Sequence, residues 1–211
     1  MNIGKFEKLP VLGILRGIDE KDVTPLARCV MEAGLEFIEI TMNTAGAASL
    51  IGRMSREAGD KLCVGAGTVL DGASMWSALD AGAKFIVTPV LVEDVVRHCV
   101  KNNIPVFPGA LTPLEIKRAW DAGAAMVKVF PSGLFGPGYF REIKGPFNDI
   151  KLLACGGVTP GNMKEYFMKG ASAIAFGSSV FKKEWLAAGD YERIGSEAGK
   201  FISSYKEREA L

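Results

Sequence analysis

The chain has 211 residues, 48% of them hydrophobic, enough to bury a substantial core in one large domain or two small ones. Its 25 Lys and Arg stand against 24 Asp and Glu, a net charge of +1, so the balance calls for neither nucleic acid nor an anionic membrane as partner. Met1 to Lys8 is short and charged, unlike a secretory signal, and no apolar run is long enough to span a bilayer; the expectation is a soluble, cytoplasmic protein.

The four cysteines (Cys29, Cys63, Cys99, Cys155) show no close pairing and no CxxC, which points to reduced thiols rather than disulfides. The one histidine, His98, lies in a helical stretch, Asp94-Val95-Val96-Arg97-His98-Cys99. A surface or half-buried helix histidine is expected there. With one histidine, neither a His/carboxylate metal cluster nor a Ser-His or Cys-His nucleophile pair is expected.

In chain order, Asn2 to Lys8 reads as a helix able to plug the floor of a barrel. Eight apolar strand candidates follow: Val11–Leu15, Phe37–Thr41, Leu62–Gly65, Phe85–Thr88, Pro105–Phe107, Met126–Phe130, Leu152–Cys155 and Ala173–Phe176. Their starts lie roughly 20 to 26 residues apart, room for a strand, a helix and two short loops. A phrase recurs before four of them. Glu32-Ala33-Gly34, Asp80-Ala81-Gly82, Asp121-Ala122-Gly123 and, more loosely, Lys169-Gly170-Ala171 each read as a helix end, a left-handed glycine cap and the start of a strand. Asp190 to Leu211 has helical spacing in Tyr191, Ile194, Ala198 and Ile202 and predicts a last outer helix. Eight such units predict a (β/α)8 TIM barrel, an α/β fold formed as one domain over residues 1–211. An open doubly wound sheet is the alternative, and the even spacing and lack of GxGxxG count against it.

In a barrel of this kind the chemistry sits at the carboxyl ends of the strands. Strand alternation puts Met126, Lys128 and Phe130 on one face and Val127 and Val129 on the other. Burial disfavours the charged form of an amine, the condition under which a lysine forms a Schiff base with a ketone. The plainer reading is a lysine that snorkels to solvent or pairs with a carboxylate. Glu39, between Ile38 and Ile40 on the same face as Thr41, is a candidate proton carrier, or else the structural ion-pair partner of Arg16 or Lys128. Gly156-Gly157 and Gly177-Ser178 follow the seventh and eighth strands, where such barrels hold phosphate on backbone N–H groups and a helix N-terminus. Tight βα turns alone would also explain those glycines.

Val64-Gly65-Ala66-Gly67-Thr68-Val69, Pro108-Gly109-Ala110-Leu111-Thr112-Pro113, Lys128-Val129-Phe130-Pro131 and Gly156-Gly157-Val158 stand in the order and spacing of the KDPG/KHG aldolases. The chain resembles that family over nearly its whole length. The resemblance implies a class I aldolase that cleaves a 2-keto-3-deoxy-6-phospho sugar acid, or 4-hydroxy-2-oxoglutarate, to release pyruvate. It implies Lys128 as the Schiff-base lysine, Glu39 as the general acid/base and Thr68 beside the pyruvyl carboxylate. Arg16, Gly157 and Ser178 match substrate contacts, the last two near the phosphate. Pro89, Phe130, Gly156 and Gly177, at their strand ends, complete the expected substrate-binding set. No cofactor and no metal are implied. A homotrimer and a place in carbohydrate metabolism of the Entner-Doudoroff kind are.

One phrase departs from the pattern. Where gluconate-type members carry Glu-x-Thr-x-Arg-Thr, this chain has Glu39-Ile40-Thr41-Met42-Asn43-Thr44, with asparagine in place of arginine. Asn43, Leu15-Arg16-Gly17-Ile18 and the phrase from Phe130 to Tyr139 are closer to the 2-keto-3-deoxy-6-phosphogalactonate branch. Thr41 and Lys144-Gly145-Pro146-Phe147 are closer to the gluconate branch. The C4 configuration of the substrate is therefore left open. Two other readings compete: a phosphosugar isomerase or epimerase, and a non-catalytic barrel that binds a phosphorylated ligand.

Overall fold

A computed structural model of the chain describes residues 1–209. Nine parallel segments are present: β1 (Val11–Leu15), β2 (Phe37–Thr41), β3 (Cys63–Gly67), β4 (Ile86–Val87), β5 (Val106–Phe107), β6 (Gly109–Ala110), β7 (Val127–Val129), β8 (Leu152–Cys155) and β9 (Ala173–Phe176). They are hydrogen-bonded in the order β5-β4-β3-β2-β1-β9-β8-β7-β6. The two ends of this order, β5 and β6, are separated only by Pro108, so one extended stretch closes the ring. On one side Thr88 N donates to Phe107 O at 3.2 Å. On the other, Lys128 N donates to Pro108 O at 2.9 Å. Proline carries no N–H for a ladder, which is why the strand divides at Pro108. The expected eight-stranded barrel is therefore present, with its fifth strand running on past the expected end at Phe107.

Period-2 alternation sorts the strand side chains into two sets. Val11, Ile38, Ile40, Val127 and Val129 face outward and pack under the helices. Leu12, Phe37, Phe85, Phe107, Met126 and Leu153 point inward and fill the lumen. The N-terminal helix α1 (Ile3–Lys8) begins where the Asn2 side chain accepts from Lys5 N, a 3.2 Å N-cap bond. It drives Phe6, 0% exposed, into the barrel floor, where the ring meets Phe37 edge-on at 4.9 Å and Phe107 at 5.7 Å. The floor is thereby closed, as expected, and any opening lies at the other end.

At the C-terminus the helix Tyr191–Glu209 packs on the helix Val23–Glu32. Tyr191 donates its hydroxyl to the buried Asp22 at 2.6 Å, tying the end of the chain to the loop after β1. The last two residues of the expected helix, Ala210 and Leu211, lie outside the described residues. Among the described residues no helix is long and apolar enough to cross a membrane. His98 sits on the helix Glu93–Lys101, its ring 4.4 Å from that of Trp76, as a half-buried helix histidine should.

Candidate active site

β2 carries Glu39 into the lumen because Ile38 and Ile40 on either side are drawn outward into the apolar layer. The carboxylate is 0% exposed, and among the described residues neither oxygen has a hydrogen-bond partner. Buried carboxylates are almost always paired or bonded, so an orphaned one is a strong sign of function. Burial pushes the Glu39 carboxyl above its ordinary value of 4.5, and the positive charges of Lys128 and Arg16 draw it part of the way back.

Lys128 comes from β7, in register with Gly109 on one side and Leu153 on the other. It is 7% exposed, so the snorkelling alternative does not hold. Its Nζ lies 5.4 Å from the centroid of the Phe130 ring, within cation–π reach. Its charge also reaches the thiol of Cys155, which β8 brings into the lumen two residues after Leu153. Pro89, two residues after β4, lies against Gly109 of β6. A β-carbon on Gly109 would lie 2.1 Å from the Pro89 carbonyl oxygen, so glycine is needed there.

Arg16, at the end of β1, reaches across to Thr68, where Nη2 donates to Oγ1 at 3.4 Å. Thr68 has φ +54, a left-handed conformation that a β-branched residue rarely adopts and that costs on the order of 1–3 kcal/mol. The loop that carries Arg16 is held from below. Gly17 N donates to Thr44 Oγ1 at 3.0 Å, and that hydroxyl lies 3.1 Å from the hydroxyl of the fully buried Thr41. Asn43, beside them, is exposed.

Phe130 stands at the mouth, 41% exposed, and a β-carbon on Gly156 would meet its ring at 3.5 Å. Gly156 and Gly157 have φ +89 and +80, so the plain requirement for glycine in this turn is met as well. Gly177 and Ser178 follow β9 in a turn in which Val180 N and Phe181 N both donate to Gly177 O. Ser178 is exposed and Gly177 half-buried.

The structure corrects one expectation here. No helix opens directly behind either glycine pair, since the next helices are Met163–Met168 and Lys183–Ala188, each only six residues long. What these positions offer is the backbone of two turns, not a helix terminus. Lys128, Glu39 and Arg16 are brought together, and Thr68 joins them through Arg16. Pro89, Phe130, Gly156, Gly157, Gly177 and Ser178 follow the neighbouring strands at the same end of the barrel.

Sequence reasoning missed four residues that frame the site. Cys155 was visible as the inward partner of Leu153 in β8, but a lone cysteine carries no signature of its neighbour. The Thr41–Thr44 pair and the buried Ser132 depend on loop paths that no periodicity encodes.

The fold is of the (β/α)8 class, and the carboxyl ends of its strands bring a buried amine together with a buried carboxylate. The family model of the KDPG and KHG aldolases matches residues 3–196. The 2-dehydro-3-deoxy-6-phosphogalactonate aldolase of Escherichia coli is 34% identical over 201 residues, covering 95% of this chain and 96% of the relative. The 2-dehydro-3-deoxy-phosphogluconate aldolase of Pseudomonas aeruginosa is 34% identical over 194 residues, 90% of this chain and 86% of its own. A solved native KDPGal structure superposes with a TM-score of 0.90 at 34% identity, covering 97% of this chain and 98% of the other.

The chain belongs to the KDPG and KHG aldolase family, and its activity is that of an aldolase, a carbon–carbon lyase. The isomerase and ligand-binding readings give way to it.

Proposed function

We propose that this protein is a class I aldolase that cleaves a 2-keto-3-deoxy-6-phospho sugar acid to pyruvate and glyceraldehyde 3-phosphate, with Lys128 as nucleophile and Glu39 as proton carrier. The observation that carries the reading is the pair itself: a 7% exposed lysine beside a 0% exposed carboxylate with no partner for either oxygen among the described residues.

The free amine of Lys128 attacks the C2 ketone, and Glu39 passes its proton to the departing hydroxyl, so that water leaves and a cationic imine remains beside the Glu39 carboxylate. Glu39 takes the proton of the C4 hydroxyl, directly or through a water. The C3–C4 bond then breaks, its electrons pass into the imine to form an enamine, and the aldehyde leaves. Return of the proton to C3 and hydrolysis of the imine release pyruvate and restore the lysine. The carboxyl raised by burial holds a proton at pH values where an ordinary carboxyl has lost it, which suits a group that must both take and give one. Phe130 shields the enamine from solvent. Arg16 and Thr68 face the carboxylate end of the substrate, and the turns at Gly157 and Ser178 hold its phosphate. Remote binding of this kind fixes the C4 end for reaction.

The four unpaired cysteines, three of them buried, support a reducing compartment, the cytoplasm. Exposed Leu70, Val90, Leu114, Leu134 and Phe135 follow β3, β4, β6 and β7, neighbours around the barrel, at 55–74% exposure. An apolar arc of this kind supports assembly of several copies, the homotrimer.

The assay is pyruvate release from the gluconate-type and galactonate-type 6-phospho acids and from 4-hydroxy-2-oxoglutarate. Release by the wild type and a loss of at least about a thousandfold in Lys128→Ala support the proposal. Equal rates in the two proteins would overturn it.

A further inference from the structure

One buried hydroxyl joins the loop after β7 to the loop after β8. Ser132 is 0% exposed, and its Oγ lies 2.9 Å from the carbonyl oxygen of Cys155 and 3.0 Å from that of Gly156. A serine hydroxyl has a single proton, so the two carbonyls share it. The serine is held in its turn, since Tyr166 donates its hydroxyl to Ser132 O at 3.4 Å. The next residue presses on the same turn. A β-carbon on Gly157 would lie 2.8 Å from Gly133 Cα.

These contacts decide which way the Gly156-Gly157 turn faces. In a trans peptide the C=O and N–H point in opposite directions. With the carbonyls of Cys155 and Gly156 both held at Ser132, the N–H groups of Gly156 and Gly157 are turned away from it. On the far side Asn162 Nδ2 donates to Gly157 O at 3.0 Å, which fixes the following peptide plane too. Consecutive N–H groups freed by such a turn make a concave site for an anion.

We propose that Ser132 is a positioning residue that locks the Gly156-Gly157 turn so that its N–H groups receive the substrate phosphate. It does so from the loop that follows the Lys128 strand, so nucleophile and phosphate site are held at a fixed separation. The proposal rests on the aldolase reading above. Ser132 itself, fully buried under the turn, touches neither the phosphate nor the reacting carbons.

The test compares wild type, Ser132→Ala and Ser132→Cys on a 2-keto-3-deoxy-6-phospho sugar acid and on 4-hydroxy-2-oxoglutarate, which has no phosphate. Borohydride-trapped pyruvate on Lys128 is the third readout. Ser132→Ala should raise KM for the phosphorylated acid about tenfold with kcat within about twofold, the scale of one lost hydrogen bond. Phosphate-free turnover and the pyruvate adduct should be unchanged, and Ser132→Cys, which keeps a weak donor, should fall between. Where the wild type does not cleave the phosphate-free acid, inorganic phosphate serves as the probe, and its inhibition constant should rise about tenfold. Equal losses on both substrates, or a fall in adduct, would assign Ser132 a general structural role and overturn the proposal. An unchanged KM would overturn it equally. If Ser132→Ala does not fold, the Ser132→Cys comparison carries the same test. Failure of the aldolase reading shows separately, as a wild type with no adduct and no cleavage, and the proposal falls with it.

Discussion

A β-carbon placed on Gly67 would sit 2.0 Å from Glu39 Oε1. The glycine of β3 is thus the space in which the Glu39 carboxylate stands, one strand away across the ladder. Gly67→Ala should therefore displace the carboxylate rather than merely fill a gap. The expected cost is about 1–3 kcal/mol of stability, as for overpacked cores. A fall in kcat of at least about tenfold should accompany it, with pyruvate adduct still formed on Lys128. Denaturant melts and steady-state rates measured on the same preparation check both.

Glu39→Gln keeps the shape and removes the titration. It should lower kcat by about 10²–10⁴-fold. The same substitution tests the pH dependence of stability. Because the folded carboxyl is raised above 4.5, the folded state binds more protons than the unfolded one above that pH. The stability that Glu39 contributes should therefore be fully present below about pH 4.5 and be lost as pH rises through the folded value. Glu39→Gln should flatten that slope in melts taken from pH 4.5 to 8. An unchanged slope would mean that Glu39 is solvated.

How much of this was legible beforehand follows from what sequence patterns encode. Met126, Lys128 and Phe130 alternate against Val127 and Val129 in the chain as they do in the barrel, because period-2 geometry is a local property. Glu39 betrayed itself by standing polar in an apolar strand. Pro108-Gly109 looked like the end of a strand, because proline and glycine are read locally as a turn, while ring closure is a long-range demand. The helices expected right behind Gly157 and Ser178 start later, since loop length is set by packing against neighbours. Gly67 carried no reading of its own beyond its place in a quoted phrase, because its reason is the carboxylate of another strand.

Thr44 holds the Arg16 loop through Gly17 N, so Thr44→Val should free that loop, and it also takes the Thr44 hydroxyl away from that of Thr41. A rise in KM of about 3–10-fold is expected at nearly constant kcat, with a stability loss of about 1 kcal/mol. Thr44→Ser should restore the wild-type KM. Kinetics on the three proteins check the point.

Burial pushes the Cys29 thiol up to about 12 and that of Cys99 to about 11, and raises Cys63 and Cys155. Thiols held protonated are poor nucleophiles. Iodoacetamide at pH 8 should leave the native protein largely unlabelled over a time in which the denatured chain takes up four groups, read by intact mass.

Phe6 closes the floor, and Phe6→Ala should cost about 3–5 kcal/mol for the cavity it opens between Phe37 and Phe107. Activity of the fraction that remains folded should be retained, since the site lies at the other end of the barrel. Chemical denaturation and specific activity per folded molecule check it.

Borohydride trapping in the presence of pyruvate, followed by peptide mass analysis, tests the central claim most directly. The account predicts a reduced pyruvyl adduct on the peptide bearing Lys128, absent from Lys128→Ala. Folded wild-type protein in excess pyruvate with no adduct at Lys128, or with an adduct on another lysine, would contradict it.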